Sequence, residues 1–231
     1  MEYILSGDSV KKNKWKFLSY LLTSDLTGYK NGKRIEIIKE KNIQNGDSCN
    51  ETSLTLPTHL GTHIDFPFHF DLKGKRGDQF NANELVYNHI ELVFIDKLLG
   101  TESVINESHF GHHEFKKSTD LLIIKTGFCN NRFKKEYFSN YPGFSDKLAN
   151  YFKKKMPKLK AIGFDLISLS SPINGSLGKI AHIEFLKNEN IIIIEDMDLR
   201  KVKKQTQINT VVVAPLRFEN SDGAPATILY S

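Results

Sequence analysis

The chain has 231 residues, longer than the roughly 100–200 typical of one domain and too short for two full ones, so one large domain is expected. Hydrophobic residues make up 39% and charged residues 26%, with 16 Phe and 8 Tyr, enough apolar surface for a core and enough to exclude a disordered or collagen-like chain. The 32 basic residues outnumber the 27 acidic ones by 5, but the clusters at 11–16, 153–160 and 200–204 have no aromatic interleaving and no helix-turn-helix pattern; they read as solvated faces, and no nucleic-acid partner is expected.

Along the chain, short runs rich in Ile, Val or Leu recur between turn signals. They fall at residues 35–39, 53–56, 91–95, 121–125, 161–164, 191–194 and 210–213, and have the length and composition of buried strands. The clearest helix follows Gly143. Ser145 suits its N-cap and Asp146 its first turn, while Leu148, Tyr151, Phe152 and Met156 share a face until Pro157 stops it. A second short helix is predicted over 183–187, just before the strand at 191–194. The pattern is β-rich in the first half and alternating in the second, an α/β single domain with mixed β-sheets and flanking helices.

No stretch reaches the roughly 18 apolar residues of a membrane span. Glu2 and the lysines at 11–16 leave no room for the apolar run of a secretory signal. Cys49 and Cys129 have no metal or redox spacing, so a reducing cytoplasm is the expected compartment.

The chemistry is concentrated at His59-Leu-Gly61-Thr62-His63-Ile-Asp65-Phe-Pro67-Phe-His69. Imidazole and carboxylate are the ligands that zinc or manganese favours, and a catalytic site needs about three protein ligands and an open position. On a straight strand His59 and His63 would lie about 13 Å apart, whereas two nitrogens on one ion lie within roughly 4 Å. A helix would bring them together, but Thr58, Gly61 and Thr62 are poor helix formers and Pro67 blocks continuation. A tight turn assisted by Gly61 is therefore predicted to gather His59, His63 and Asp65, with His69 at the rim.

The segment resembles the signature His-x-Gly-Thr-His-x-Asp-x-Pro-x-His of the putative cyclase, or bacterial kynurenine formamidase, family of metal-dependent hydrolases, with every fixed position present. Leu18-Ser19-Tyr20-Leu21, Thr27-Gly28-Tyr29, Thr126-Gly127, Tyr141-Pro142-Gly143 and Gly163-Phe-Asp165-Leu-Ile-Ser168 are also similar to family segments. So are Ala181-His182 with Glu195, and 214–217 through 222–225. Residues 1–15 lie outside the likeness as an N-terminal extension, and 16–231 form the cyclase-like domain.

The resemblance implies a swivelling β/β/α fold. It places His59, His63 and Asp65 on a first metal and His182 and Glu195 at a second, with Asp65 and Glu195 shared. His69 becomes the acid–base and Tyr29 a wall against the substrate ring. His182 would open the short helix, and Glu195 would emerge where its strand ends. Two departures lie near the expected substrate pocket: Leu169-Ser170-Ser171-Pro172 has no acid where the family often has one, and residues 29–32 replace a common Trp-Pro-Gly-Asp turn. Asp165 and Ser168 either brace the site or form an ordinary turn. His109, His112 and His113 are expected in an exposed loop, His89 is read as structural, and Cys129 has no base beside it to make it a nucleophile.

A metal held by imidazoles and carboxylate lowers the pKa of bound water from 15.7 toward about 7, and His69 would pass the proton to the leaving nitrogen. The expected activity is a metal-dependent amidohydrolase, an arylformamidase converting N-formyl-L-kynurenine to L-kynurenine and formate. It would use one or two zinc ions, or manganese, in a cytoplasmic homodimer or homotetramer with a small aryl amide as substrate and no membrane partner. The alternatives are the same site acting on a cyclic amide or lactone, as in an isatin hydrolase or a cyclase, and a module that binds metal or ligand without catalysis.

Overall fold

The computed structural model describes residues 14–29, 32, 34–95 and 103–231; most of the expected N-terminal extension lies outside these. The first half contains β1 (Lys16–Phe17), β2 (Glu36–Lys41), β3 (Glu51–Thr55), β4 (His63–Asp65), β5 (Val86–Tyr87), β6 (Ile90–Phe94) and β7 (Val104–Ile105). The second half contains β8 (Leu121–Lys125), α1 (Glu136–Ser139), β9 (Gly143–Phe144), α2 (Lys147–Lys155), β10 (Ala161–Phe164), α3 (Gly175–Ile183), β11 (Ile192–Glu195), β12 (Val211–Pro215) and β13 (Gly223–Tyr230).

A nine-stranded, nearly closed mixed sheet organises the domain in the order β5-β12-β13-β4-β11-β10-β8-β6, with β1 added on β13. β6, β8, β10 and β11 run parallel; β4 joins them antiparallel and continues into the antiparallel strands β13, β12 and β5. β8, β10 and β11 are covered on both faces, which is why they read as nearly unbroken apolar runs. Alternation still sorts their side chains. Leu122, Ile124, Ile162, Phe164 and Ile193 face the core that holds α2 and α3, and Leu121, Ile123, Ala161, Ile192 and Ile194 face the core under β12 and β13.

Two expectations are corrected. The strands predicted at 35–39 and 53–56 form as β2 and β3 but are exposed throughout. They pair only with each other, as a hairpin that leaves Ile37, Ile38 and Leu54 in solvent. The helix expected over 183–187 is instead the end of a longer element. α3 starts at Gly175, capped by the Asn174 side chain, which accepts from Leu177 N, and runs into a π-helical turn at Glu184–Asn188. Gly175 and Gly178 lower the helix propensity of its first turns and hide the start. Gly178 is required by packing, since a Cβ there would lie 2.0 Å from Ser170 Oγ. The helix after Gly143 forms as read, with Ser145 Oγ accepting from Lys147 N at 3.2 Å.

Candidate metal centre

β4 is only three residues long, and everything at the site depends on how the chain enters it. Gly61 turns the chain with φ +65, a conformation that L side chains rarely adopt, and a Cβ there would lie within 2.9 Å of both Leu22 Cδ2 and Leu26 Cδ2. Tyr20 N donates to Thr62 Oγ1 at 3.0 Å, fixing the next residue. The expected turn is therefore present and is followed at once by a strand. His63 and Asp65, two residues apart, project to one face. The register sets His63 opposite Glu195 on β11 and Asp65 opposite Gly223 on β13.

The donor atoms converge. His63 Nε2 lies 3.4 Å from both Asp65 Oδ1 and Glu195 Oε2, and His182 Nε2 lies 3.4 Å from Glu195 Oε1 and 3.8 Å from Asp65 Oδ2. Two donors each about 2.1 Å from a tetrahedral ion are separated by about 3.4 Å, so these spacings fit a metal. His63 Nδ1 donates to Gly61 O at 2.8 Å and His182 Nδ1 to Gly178 O at 2.7 Å. Backbone carbonyls thus hold the outer nitrogens and turn both Nε2 atoms toward the carboxylates, the orientation a coordinating histidine needs once Nε2 has lost its proton. His59 Nδ1 sits 2.8 Å from Asp65 Oδ1. Two bare lone pairs cannot face each other at that distance, so a proton or a cation belongs there.

Two sets of potential ligands result, His59–Asp65–His69 and His63–Asp65–Glu195, joined by Asp65. The structure brings together all six residues singled out from the sequence, but His63 groups with Glu195 and His182, while His59 groups with His69. His182 lies near the end of α3 and does not open a helix. Leu169 N donates to Glu195 Oε1 at 2.7 Å, and Ser168 Oγ lies 3.4 Å from the same oxygen. Tyr29 lines the adjoining cavity of about 390 Å³.

The electrostatics follow from packing imidazoles against buried carboxylates. Burial would lower His59, but hydrogen bonds to Asp222 and Asp65 outweigh it and raise the ring to about 9. Burial likewise opposes charge on His63 and His182, yet Asp65 and Glu195 hold His63 well above the usual imidazole range and Glu195 raises His182. Burial would raise Asp65, but His59 and His63 keep it well below the ordinary carboxylate range. Glu195 is lowered by His182 and His63 against both burial and the Asp65 charge. Protonated imidazoles thus neutralise acids that a cation would otherwise neutralise.

Sequence reasoning missed four contributors. Asp222 Oδ2 lies 2.9 Å from His59 Nε2 and 3.1 Å from His69 Nδ1; the match at 222–225 was visible but carried no role. Phe70 stacks on His182 with centroids 4.8 Å apart. Lys179, one turn before His182 on α3, lines the cavity. Arg132 is 1% exposed and pairs with the buried Asp196 beside Glu195.

The remaining readings sort cleanly. Asp165 accepts from Thr126 N and Gly127 N and organises that turn rather than the cluster. His113 is not a free loop residue, since its Nε2 lies 2.6 Å from the buried Glu91. Burial pushes the Cys129 thiol far up, the opposite of what a nucleophilic cysteine needs. Both cysteines are free, and no helix among the described residues is long and apolar enough to cross a membrane.

A nearly closed mixed sheet whose central strands aim two carboxylates and several imidazoles at a common focus is an α/β domain with a donor set that could hold a metal ion. The chain belongs to the putative cyclase family, whose profile matches residues 13–171. It is 33% identical over 186 residues to a kynurenine formamidase of Geobacillus thermodenitrificans, a match covering 77% of this chain and 78% of that protein. It is 28% identical over 190 residues to cyclase-like protein 2 of Arabidopsis thaliana, covering 79% of this chain and 65% of the other. The chain thus spans just under two thirds of the plant relative. Isatin hydrolase A of Labrenzia aggregata shares the fold with a TM-score of 0.77 at 14% identity, over 94% of this chain and 93% of that one.

Proposed function

We propose that the protein is a metal-dependent amidohydrolase whose substrate is an aryl formamide, with N-formyl-L-kynurenine split to L-kynurenine and formate. The observation that carries this reading is the convergence of His63, His182, Asp65 and Glu195 donors at about the spacing one ion requires. His59, His63, Asp65, His182 and Glu195 would hold one or two ions, zinc or manganese. When bound, such an ion acidifies a water and polarises the amide carbonyl.

The chain's own groups supply the rest. His69 Nδ1 is engaged by Asp222, which leaves Nε2 to take a proton from the attacking water and return it to the departing aniline nitrogen, an otherwise poor leaving group. Formate keeps the water oxygen, and the amine keeps the transferred proton. Tyr29 and Phe70 give the cavity aromatic walls. Lys179 contributes a cation there with no acidic partner among the described residues, which favours an aryl amide bearing a carboxylate. The free cysteines suit a reducing cytoplasm.

The test is formate release by zinc- or manganese-loaded protein from N-formylkynurenine, beside uncharged formanilide, isatin and a lactone panel. His69→Ala should retain metal while kcat falls by roughly 10²–10⁴. Parent-level hydrolysis by that variant refutes the role of His69. The fold likeness to an isatin hydrolase supports a cyclic amide as the second reading, which preferential turnover of isatin would establish.

A further inference from the structure

We propose that Asp222 is a shared positioning carboxylate: a single oxygen fixes the ring orientation and tautomer of both His59 and His69, so that metal retention and proton transfer depend on one side chain. The catalytic half of this inference rests on the function proposed above; the metal-binding half does not.

The geometry is specific. Asp222 Oδ2 reaches His59 Nε2 at 2.9 Å and His69 Nδ1 at 3.1 Å, and the two rings lie side by side with centroids 4.2 Å apart, tilted by 34°. A carboxylate in its ordinary ionised form only accepts hydrogen bonds, and His59 Nε2 and His69 Nδ1 both lie within hydrogen-bond distance of the same Asp222 oxygen. Both facing ring nitrogens must therefore carry protons. In a neutral ring the other nitrogen is then bare. For His59 that is Nδ1, the atom turned toward Asp65; for His69 it is Nε2. The same oxygen thus prepares one histidine to ligate and the other to accept a proton.

The support behind this oxygen is firm. Asp222 precedes β13, where its carbonyl accepts from Phe66 N at 2.9 Å. Thr58 Oγ1 approaches the other carboxylate oxygen at 3.5 Å. The His59 ring also lies close against Gly223, where a Cβ would lie 2.4 Å from His59 Cε1. When His69 takes up a proton, the imidazolium forms against a carboxylate already in place, as an orienting acid does for a catalytic histidine.

The test compares parent, Asp222→Asn, His69→Ala and the double variant. Zinc affinity is read by chelator competition, apo-protein stability by thermal melting, and kcat and KM on the formamide. Asp222→Asn should weaken zinc by about 10–100-fold, the scale for a group that orients a ligand, and lower kcat with KM little changed, while the apo melting point, read at pH about 9.5 where the raised His59 no longer contributes charge, holds. On the His69→Ala background the same substitution should still weaken zinc but lower kcat no further at saturating metal. Asp222→Ser, which removes the charge without adding bulk, is read the same way if Asn is not tolerated.

Parent-like zinc affinity in both Asp222 variants, or a loss of affinity that tracks a fall in apo stability, overturns the proposal. An undiminished additional loss of kcat on the His69→Ala background overturns the link to His69. If the parent hydrolyses no formamide, the function proposed above fails while the zinc measurements still decide the role of Asp222 toward His59.

Discussion

Replacing Gly223 by alanine perturbs the centre without removing any candidate ligand. Gly223 lies opposite Asp65 in the register of β13 and β4. It is not among the glycines with positive φ, so alanine brings no backbone strain. What it meets is His59. The new methyl would lie 2.4 Å from Cε1 and 2.9 Å from Nε2, and 2.9 Å from the Ile64 carbonyl oxygen. Carbon atoms pack at about 3.5–4.0 Å, so the imidazole must retreat by about 1 Å. Metal–ligand distances are held within about 0.2 Å, and a retreat several times larger takes His59 out of the coordination sphere.

Zinc affinity should then fall by about 100-fold or more, the usual consequence of a 1 Å misplacement at a reacting centre, equivalent to roughly 2.7 kcal/mol. The apo fold should lose only the overpacking cost of about 1–3 kcal/mol. Chelator competition gives the affinity, and melting with and without zinc separates the two effects. Gly111→Ala is the control, because its methyl would meet Ser108 O at an ordinary 3.7 Å. If Gly223→Ala binds zinc as the parent does and gains the same thermal stabilisation from it, His59 is not a ligand and the assignment of the first donor set is wrong.

Arg132→Met should strand a carboxylate. Arg132 meets Asp196 through Nε at 2.8 Å and a terminal nitrogen at 2.6 Å, and also donates to Thr27 O at 2.9 Å. Breaking a buried pair costs about 3–5 kcal/mol, and the lower end is expected because burial already raises Asp196 and lets it take up a proton. A melting point within 2 °C of the parent, against the expected drop of about 6–12 °C, would contradict this. The imidazoles predict a pH effect of definite sign. His59 is raised to about 9 in the folded apo protein against about 6.5 unfolded, so its contribution is complete below pH about 6.5 and is lost as pH rises through about 9. Apo melting temperatures should fall across that window, and the increment from added zinc should grow. A flat apo profile from pH 6 to 9.5 would show that the charged imidazoles do not stabilise the fold.

The legible parts of this molecule were those in which one local property dominates. The buried runs at 121–125 and 161–164 are strands with the bounds read from their composition, because a strand covered on both faces has no reason to alternate. The histidine segment was legible because its spacing is incompatible with both a straight strand and a helix, which left a turn at Gly61. What escaped reading depended on distant partners. β13 opens with Gly223-Ala224-Pro225-Ala226, small residues that carry no strand signal but pack beneath His59 and against β4. Asp222 is unremarkable beside its neighbours and matters only because it meets residues 153 and 163 positions away. The exposed hairpin β2–β3 had the apolar content of a core strand, and nothing local to it states that no layer among the described residues covers it.

The register of two short antiparallel pairings, of β4 with β11 and with β13, decides whether this site exists at all. β4 contributes His63 and Asp65 to one face only because they are two apart, and Glu195 stands beside them only because it pairs with His63. A slip of one residue between β4 and β11 would turn the acid to the opposite face and place Ile194 among the imidazoles. The apolar neighbours oppose that slip, since Ile194 would leave the core it now shares with Ile64. Packing that buries Ile64 therefore also aims the ligands, and a cation bound by residues on both strands would tighten the same pairing. Metal binding and closure of the sheet are thus coupled, so substitutions that weaken the core around Ile64 should lower metal affinity even though they touch no ligand.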